Sequence, residues 1–430
     1  MAFRHAHKLL RHTRPTWAAV GLLLACSLAV MAPLSCRTSA PPSGGAPALP
    51  LRLDGVPTVR VRLTSSPANT VEVGCTGGYR ISVDGRSAGR SNLGMKLTPC
   101  RRSGGAWTLG LLTAPGRQLV LEPRSDGFIR VGDKMYRGRL VLVASDEDHF
   151  YVHNHVDLES YLASVIAKEL YPNFHPEAYR AQAMAARTYA IYEMATRGAR
   201  GNFDVWDSQR SQVYGGMLAE TDRSWQAVRD THACVLAYGS PGNERVFLAQ
   251  FSACNGGYVN GAHVIRNVPL SRRIEPLAGG QQDDDGRACP RYAWQPVRIA
   301  KTDLYAALAG RYKDVRSLGG IETLRVKAQT PYGRPIWLEA QGPVGRSATI
   351  RAEDVRLCLL QSGPPEAKKL YSMNCQIRDL GDAVEFYDGR GFGHGVGMSQ
   401  WGAEEKAQRG MRAEDILAFY YPGAVIFRAY

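Results

Sequence analysis

Hydrophobic and polar positions change period partway along the chain. Between Leu51 and about His155 they alternate, as in Val59-Arg60-Val61-Arg62-Leu63, Val71-Glu72-Val73 and Arg80-Ile81-Ser82-Val83. A period of two puts successive side chains on opposite faces, so these runs predict strands buried on one side. Asp84-Gly85 and Gly132-Asp133 supply turns, and Leu119-Val120-Leu121, Phe128-Ile129-Arg130-Val131, Leu140-Val141-Leu142-Val143 and Phe150-Tyr151-Val152 add further strands. No stretch of this region reads as helical.

At Asp157 the period lengthens. Asp157 has N-cap chemistry, and Leu158, Leu162 and Val165 fall on one stripe of a helix. At 100° per residue Glu169 projects within about 20° of Leu158, which places a carboxylate on the apolar stripe. Pro172 stops the helix soon afterwards. A poorly solvated carboxyl holds its proton to higher pH and can act as an acid. The plainer reading is a helix-end Glu that reaches solvent or pairs with an Arg. A second helix starts at Pro176 and runs to about Ala195, with alanines around its whole circumference, so close neighbours should bury it. Arg187 lies within that surface and must be paired there, either as a brace or as a substrate contact.

Near the C-terminus every second residue is glycine, from Gly389 through Gly391, Gly393 and Gly395 to Gly397. Read as extended, the run has one bare face and one carrying Arg390, Phe392, His394, Val396 and Met398. Glycine weakens a strand, so the alternation points to another segment or a ligand lying against the backbone. The expected fold class is α+β: a β-rich module over 51–155, then a mixed core over 156–430 with an Ala-rich helix pair and a Gly-alternating strand. Gln281 to Cys289 and Ser362 to Lys369 read as surface excursions.

Composition adds the compartment. Arg4, Lys8, Arg11 and Arg14 precede an apolar run from Trp17 to Leu34, so residues 1–35 read as an export signal. Cys26 and Cys36 each sit where a lipoprotein signal is cut, and residues 36–50 form a flexible linker rich in Pro, Ala, Ser and Gly. The expected location is the cell envelope or periplasm, with a lipid or signal anchor as the only route to a membrane. Seven cysteines remain, and Cys75–Cys100 and Cys358–Cys375 are near enough in sequence to be candidate pairs. The formal charge falls from +14 to +10 when the four basic residues of the leader are left out. For an exported chain such a surplus favours anionic wall polymers or lipid headgroups over nucleic acid.

Two enzyme classes are disfavoured. Gly85-Arg86-Ser87-Ala88-Gly89 matches Gly-x-Ser-x-Gly, but it follows a strand and no helical pattern comes after it, so it reads as a turn. No His-Glu-x-x-His is present. His153 and His155 alternate on one strand and read as surface residues.

Several segments together resemble one family. Asp157 to Leu162 (DLESYL), Val165 to Leu170 (VIAKEL), Ala181 to Ala190 (AQAMAARTYA), Asp207 to Gly215 (DSQRSQVYG), Ala233 to Leu236 (ACVL), Phe251 to Gly257 (FSACNGG), Gly391 to Ala403 (GFGHGVGMSQWGA) and Tyr420 to Gly423 (YYPG) look like the signature of the stage II sporulation protein D and amidase-enhancer (LytB) family, in family order. The resemblance covers roughly residues 50 to 430. It implies a lytic transglycosylase that cleaves the N-acetylmuramic acid–N-acetylglucosamine bond in glycan strands stripped of stem peptides, leaving 1,6-anhydro ends. The family's catalytic glutamate falls on Glu169. Family position and side-chain chemistry together make Arg187, Gln212, Tyr214, Ser252, Cys254, His394, Ser399 and Gln400 candidate substrate contacts. Some relatives carry a Cys/His zinc site with His directly after the glycine pair, where this chain has Tyr258. Cys254 and His263 remain, and two ligands do not make a site, so no metal or other cofactor is expected. The implied partners are peptidoglycan glycan strands. The rival reading is a non-catalytic wall-binding protein that enhances an N-acetylmuramoyl-L-alanine amidase.

Overall fold

The computed structural model describes residues 53–430 except 125, 126, 267 and 269–271. Cys26, Cys36 and the segments expected to be an export signal and a linker lie outside the described residues. No helix among the described residues is long and apolar enough to cross a membrane.

The alternating region folds as twelve strands without a helix, from Thr58–Arg62 to Phe150–Asp157. Seven strands form one sheet, in the order Val205–Trp206, Thr58–Arg62, Phe150–Asp157, Arg139–Ala144, Gln118–Pro123, Tyr79–Val83, Arg86–Ser91. A six-stranded sheet covers its inner face. Val59, Val61, Leu121, Leu140 and Leu142 from the first sheet share a core with Val73, Trp107 and Ile129 from the second. Trp107 meets Phe150 edge-on with centroids 5.1 Å apart. The Gly-x-Ser-x-Gly match lies in a hairpin: Asp84 and Gly85 turn with φ of 47° and 77°, and Arg86–Ser91 returns as a strand. His153 departs from its surface reading. It is fully buried opposite Arg62 in the register, and neither ring nitrogen has a hydrogen-bond partner.

Strand Phe150–Asp157 leads directly into helix α1 (Leu158–Glu169), whose N-cap Asp157 accepts from the Ser160 N–H at 2.9 Å. The expected single stripe is too narrow a description. Residues 158 to 166 are all buried, because α1 packs between the strands, α2 (Pro176–Thr196) and α3 (Asp222–Asp230). Only its last turn nears the surface.

The C-terminal half holds a second core, with Ile299, Leu338, Val384 and Phe386 at its centre. Two three-stranded sheets and helices α4 (Lys301–Ala309), α5 (Lys313–Arg316) and α6 (Ala352–Ser362) build it. Helices α7 (Gln400–Gln408) and α8 (Ala413–Tyr420) return to pack on α2. The last strand, Val425–Arg428, pairs with Cys234–Tyr238, and the Leu53 N–H donates to the Ala429 carbonyl at 2.6 Å. The Gln281 to Cys289 segment is not a surface excursion: Asp283 and Asp285 are buried there, and both pair with Lys406 of α7.

The glycine run is not the extended strand its alternation suggested. Gly391, Gly393, Gly395 and Gly397 all take positive φ, between 67° and 100°, and only Gly389–Arg390 and Met398–Ser399 are strand. What lies against its backbone is the segment 250–260. Phe251 and Ser252 pair with Met398 and Ser399, Cys254 bridges Phe392, and Asn260 bridges Val396. A Cβ on Gly397 would come within 2.0 Å of the Gln250 carbonyl oxygen. Gly397→Ala should therefore cost about 2–4 kcal/mol, from left-handed strain plus displaced backbone, and chemical denaturation measures it.

Neither suggested cysteine pairing forms. Cys100 faces Val71 and Cys75 faces Met95, which leaves Cys75 and Cys100 about four residues, or ~13 Å, out of register. All seven described cysteines are free. Cys254 and Cys289 converge instead: the Cys254 thiol and the Cys289 N–H both point at the Gly286 carbonyl, at 3.7 and 3.0 Å.

Candidate active site

Glu169 is the last residue of α1, so its carboxyl leaves the helix where the chain turns extended at Leu170. Two groups from distant segments hold it. The Val213 N–H donates to Oε1 at 3.1 Å, and the Gln400 Nε2 donates to Oε2 at 3.2 Å. Burial raises the pKa of this carboxyl above its ordinary value, and the two donors pull it back only in part. The partial negative charge at the C-terminus of α1 acts in the same direction as burial. The residue as a whole is nonetheless only half-buried. A carboxyl whose pKa is raised at such a position is suited to deliver a proton to a ligand.

Aromatic residues lie close in the chain to the acid and to Gln400. Tyr171, two residues beyond Glu169, is 40% exposed, and Trp401, next to Gln400, is half-buried. Their centroids lie 5.3 Å apart, and buried Phe174 supports both, at 5.5 Å from Tyr171 and 4.9 Å from Trp401. Partly exposed rings beside a proton donor suit the apolar face of a sugar. The sequence reading did not assign this group a role; the signal was the adjacency of Tyr171 to Glu169 and of Trp401 to Gln400. A second perturbed carboxyl, Asp207, is pushed up to about 6 by burial against the pull of Lys134.

Of the candidate contacts, only Gln400 reaches Glu169. Arg187 is fully buried and occupied by Glu159, through Nε at 2.9 Å and Nη2 at 2.7 Å, so it is a brace between α1 and α2 rather than a contact to Glu169 or to a ligand. Its Nη1 donates to the Cys234 carbonyl at 3.0 Å. Gln212 is buried between the Tyr161 hydroxyl (3.1 Å) and the Ala186 carbonyl (3.3 Å). Tyr214 donates its hydroxyl to Asn154 Oδ1 at 2.8 Å, inside the core. Ser252 accepts from the Gly395 N–H at 3.1 Å, and Ser399 caps α7 by accepting from the Gly402 N–H at 3.0 Å. Cys254 is buried beside Gly286. All six of these residues are buried, with their polar groups engaged inside the protein. His394 is partly exposed, and burial lowers its pKa to about 4 although the Glu353 carboxylate opposes this. Its Nδ1 accepts from the Val396 N–H at 3.0 Å, so it too serves the glycine run. Tyr258 stacks on Tyr332 with centroids 4.6 Å apart. Among the described residues no three His, Cys, Asp or Glu side chains converge as a metal shell.

The segment that carries Glu169, α1 to α3 and the loop 207–214 falls within residues 146–238, which match the SpoIID family of stage II sporulation proteins. Residues 146–238 are thus a SpoIID domain. The whole chain is 29% identical over 301 residues to an uncharacterized protein of Brachyspira hyodysenteriae, covering 70% of this chain and 74% of that protein. It is 28% identical over 290 residues to stage II sporulation protein D of Bacillus subtilis, with 64% and 75% covered. It is also 24% identical over 302 residues to the amidase enhancer of Bacillus subtilis, with 62% of this chain but 40% of that protein covered. Gln400 lies outside the SpoIID match, so the matched domain holds the acid and the rest of the chain supplies one of its two partners.

Proposed function

We propose that this envelope protein is a lytic transglycosylase acting on peptidoglycan glycan strands that lack stem peptides. The observation that carries the reading is the Glu169 carboxyl, whose pKa burial raises and which Val213 and Gln400 hold, with the partly exposed rings of Tyr171 and Trp401 close to it and to Gln400 in the chain. Protonated Glu169 donates to the glycosidic oxygen as an oxocarbenium-like state develops. The resulting carboxylate then takes the proton of the muramoyl 6-hydroxyl, whose oxygen attacks the anomeric carbon of the same sugar. An attack from within the substrate removes the need for the second carboxylate of ordinary glycosidases. Gln400 suits both stages, because turning its amide exchanges a donor for an acceptor. The names of two relatives, a sporulation protein and an amidase enhancer, support a role at the cell wall.

Incubation with amidase-stripped strands followed by mass spectrometry tests this. Anhydro-muramoyl ends are expected. Reducing ends would make the protein a hydrolase, and no products with strands retained would favour wall binding in support of an amidase. Gln400→Ala removes a donor that favours the charged acid, so the alkaline limb of the rate–pH profile should move to higher pH. An unmoved limb would separate Gln400 from the acid.

A further inference from the structure

Cys254 and Cys289 come from separate segments, and both are buried free thiols, 1% and 5% exposed. Their sulfurs are in hydrogen-bond contact. Both residues also point at the Gly286 carbonyl, the Cys254 thiol at 3.7 Å and the Cys289 N–H at 3.0 Å. A hydrogen bond from the Cys254 thiol lowers the Cys289 pKa against the effect of burial, with help from the Arg291 N–H and charge. Cys289 is thus the readier thiolate, and exposed Arg287, Ala288 and Pro290 place it at the outer end of the pair. Two thiols are too few donors for a closed metal shell, and among the described residues no third His, Cys, Asp or Glu completes one.

The two segments that meet here both hold α7. Phe251 and Ser252 pair with Met398 and Ser399, and the Trp401 N–H donates to the Ala253 carbonyl at 3.0 Å. The segment before Cys254 therefore grips the first turn of the helix. The segment before Cys289 grips it further along. The Ala288 N–H donates to Glu405 Oε1 at 2.8 Å, and Asp283 and Asp285 pair with Lys406. Gly286 closes the gap between them. A Cβ there would come within 3.3 Å of the Gly402 nitrogen and 3.5 Å of both Ser399 Oγ and Cys254 Sγ. A bond between the cysteines would tie the two grips together at the start of α7, whose first residue, Gln400, donates to Glu169.

We propose that Cys254 and Cys289 form a disulfide in the mature envelope protein, which fixes the start of α7 and with it Gln400. The bond itself is independent of the reading of Glu169 as the acid; its benefit to catalysis rests on that reading. Thiols of exported proteins meet oxidants that the cytosol lacks. The oxidant is a molecule that itself carries an exchangeable disulfide. The Cys289 thiolate attacks one sulfur of that disulfide and expels the other as a thiolate. The Cys254 sulfur then attacks the Cys289 sulfur of the mixed disulfide, loses its proton and releases the second thiolate. Two cysteines lose two electrons and two protons, and the oxidant leaves as two thiols.

Folding the full chain in a mixture of reduced and oxidised glutathione gives the oxidant access to both thiols. Alkylation in denaturant, digestion and mass spectrometry then test the bond. A linked Cys254–Cys289 peptide is expected, and reductant should remove it. Amide exchange follows the helix: peptides covering 398–405 should exchange about 10-fold more slowly in the linked protein than after reduction. Cys289→Ser and Cys254→Ala should each abolish that difference, and melting curves show which samples are folded. Both cysteines alkylated in a folded, oxidised protein, or equal exchange with and without the link, would overturn the proposal. A linked protein that releases no anhydro ends from stripped strands would retain the disulfide and sink the transglycosylase. Anhydro ends from a protein whose two cysteines stay free would do the reverse.

Discussion

Replacing Glu169 by Gln should abolish release of anhydro-muramoyl ends, with a rate loss of about 10²–10⁴-fold or more, while stripped strands still bind. The substitution keeps an amide where the carboxyl was, so Val213 N–H still has an acceptor and Gln400 still has a partner. Only the transferable proton is lost. The wild-type pH dependence follows from the direction of the shift. Burial raises the pKa of Glu169 above the ordinary 4.5, and the protonated form cleaves, so activity persists above that pH and falls as pH rises through the raised value. The same sign governs stability. An acid whose folded pKa is raised contributes stability that is full below its unfolded pKa and is lost as pH rises through the folded one. Glu169→Gln should therefore melt at or above wild type at neutral or alkaline pH, with the gain vanishing in acid. A variant that melts earlier and also stops binding would mean that Glu169 holds the fold.

Arg187→Ala should be the most destabilising of the changes considered, at about 3–5 kcal/mol, because it leaves Glu159 buried beside Tyr430 without its cation. Denaturation midpoints measure this, and the double change of Glu159 and Arg187 to Met should recover much of the loss. If Arg187 contacted glycan, the single variant would fold normally and bind poorly. That outcome would return it to the site from which its burial removes it.

These two residues show what the sequence discloses. Glu169 is legible because helical period and a position at a helix end are local properties, and they combine with a family motif. Arg187 is legible as buried and paired, but its partner is Glu159, 28 residues away across a helix packing that no local period encodes. The strands of 58–157 are legible from alternation and turn chemistry. The Gly389 to Gly397 run misleads because alternation predicts an extended strand only where residues favour negative φ, and glycine does not. Its neighbour, the 250–260 segment, is far off in the chain. The second core around Phe386 escapes notice because its short strands and helices lack the long periods that reveal α1 and α2. Gln212, Tyr214 and Ser399 carry groups typical of sugar contacts, and only their burial shows that these bonds are spent internally.

The order of synthesis bears on the bond between Gln400 and Glu169. The two residues are 231 positions apart, and at about 5–20 residues per second the ribosome needs roughly 10–50 s to travel between them. The closing strand and the tie from Leu53 to Ala429 come later still. A nascent chain therefore carries Glu169 for some time without one of the two groups that hold its carboxyl. A product truncated before Gln400 would lack that donor and the closing strand for good.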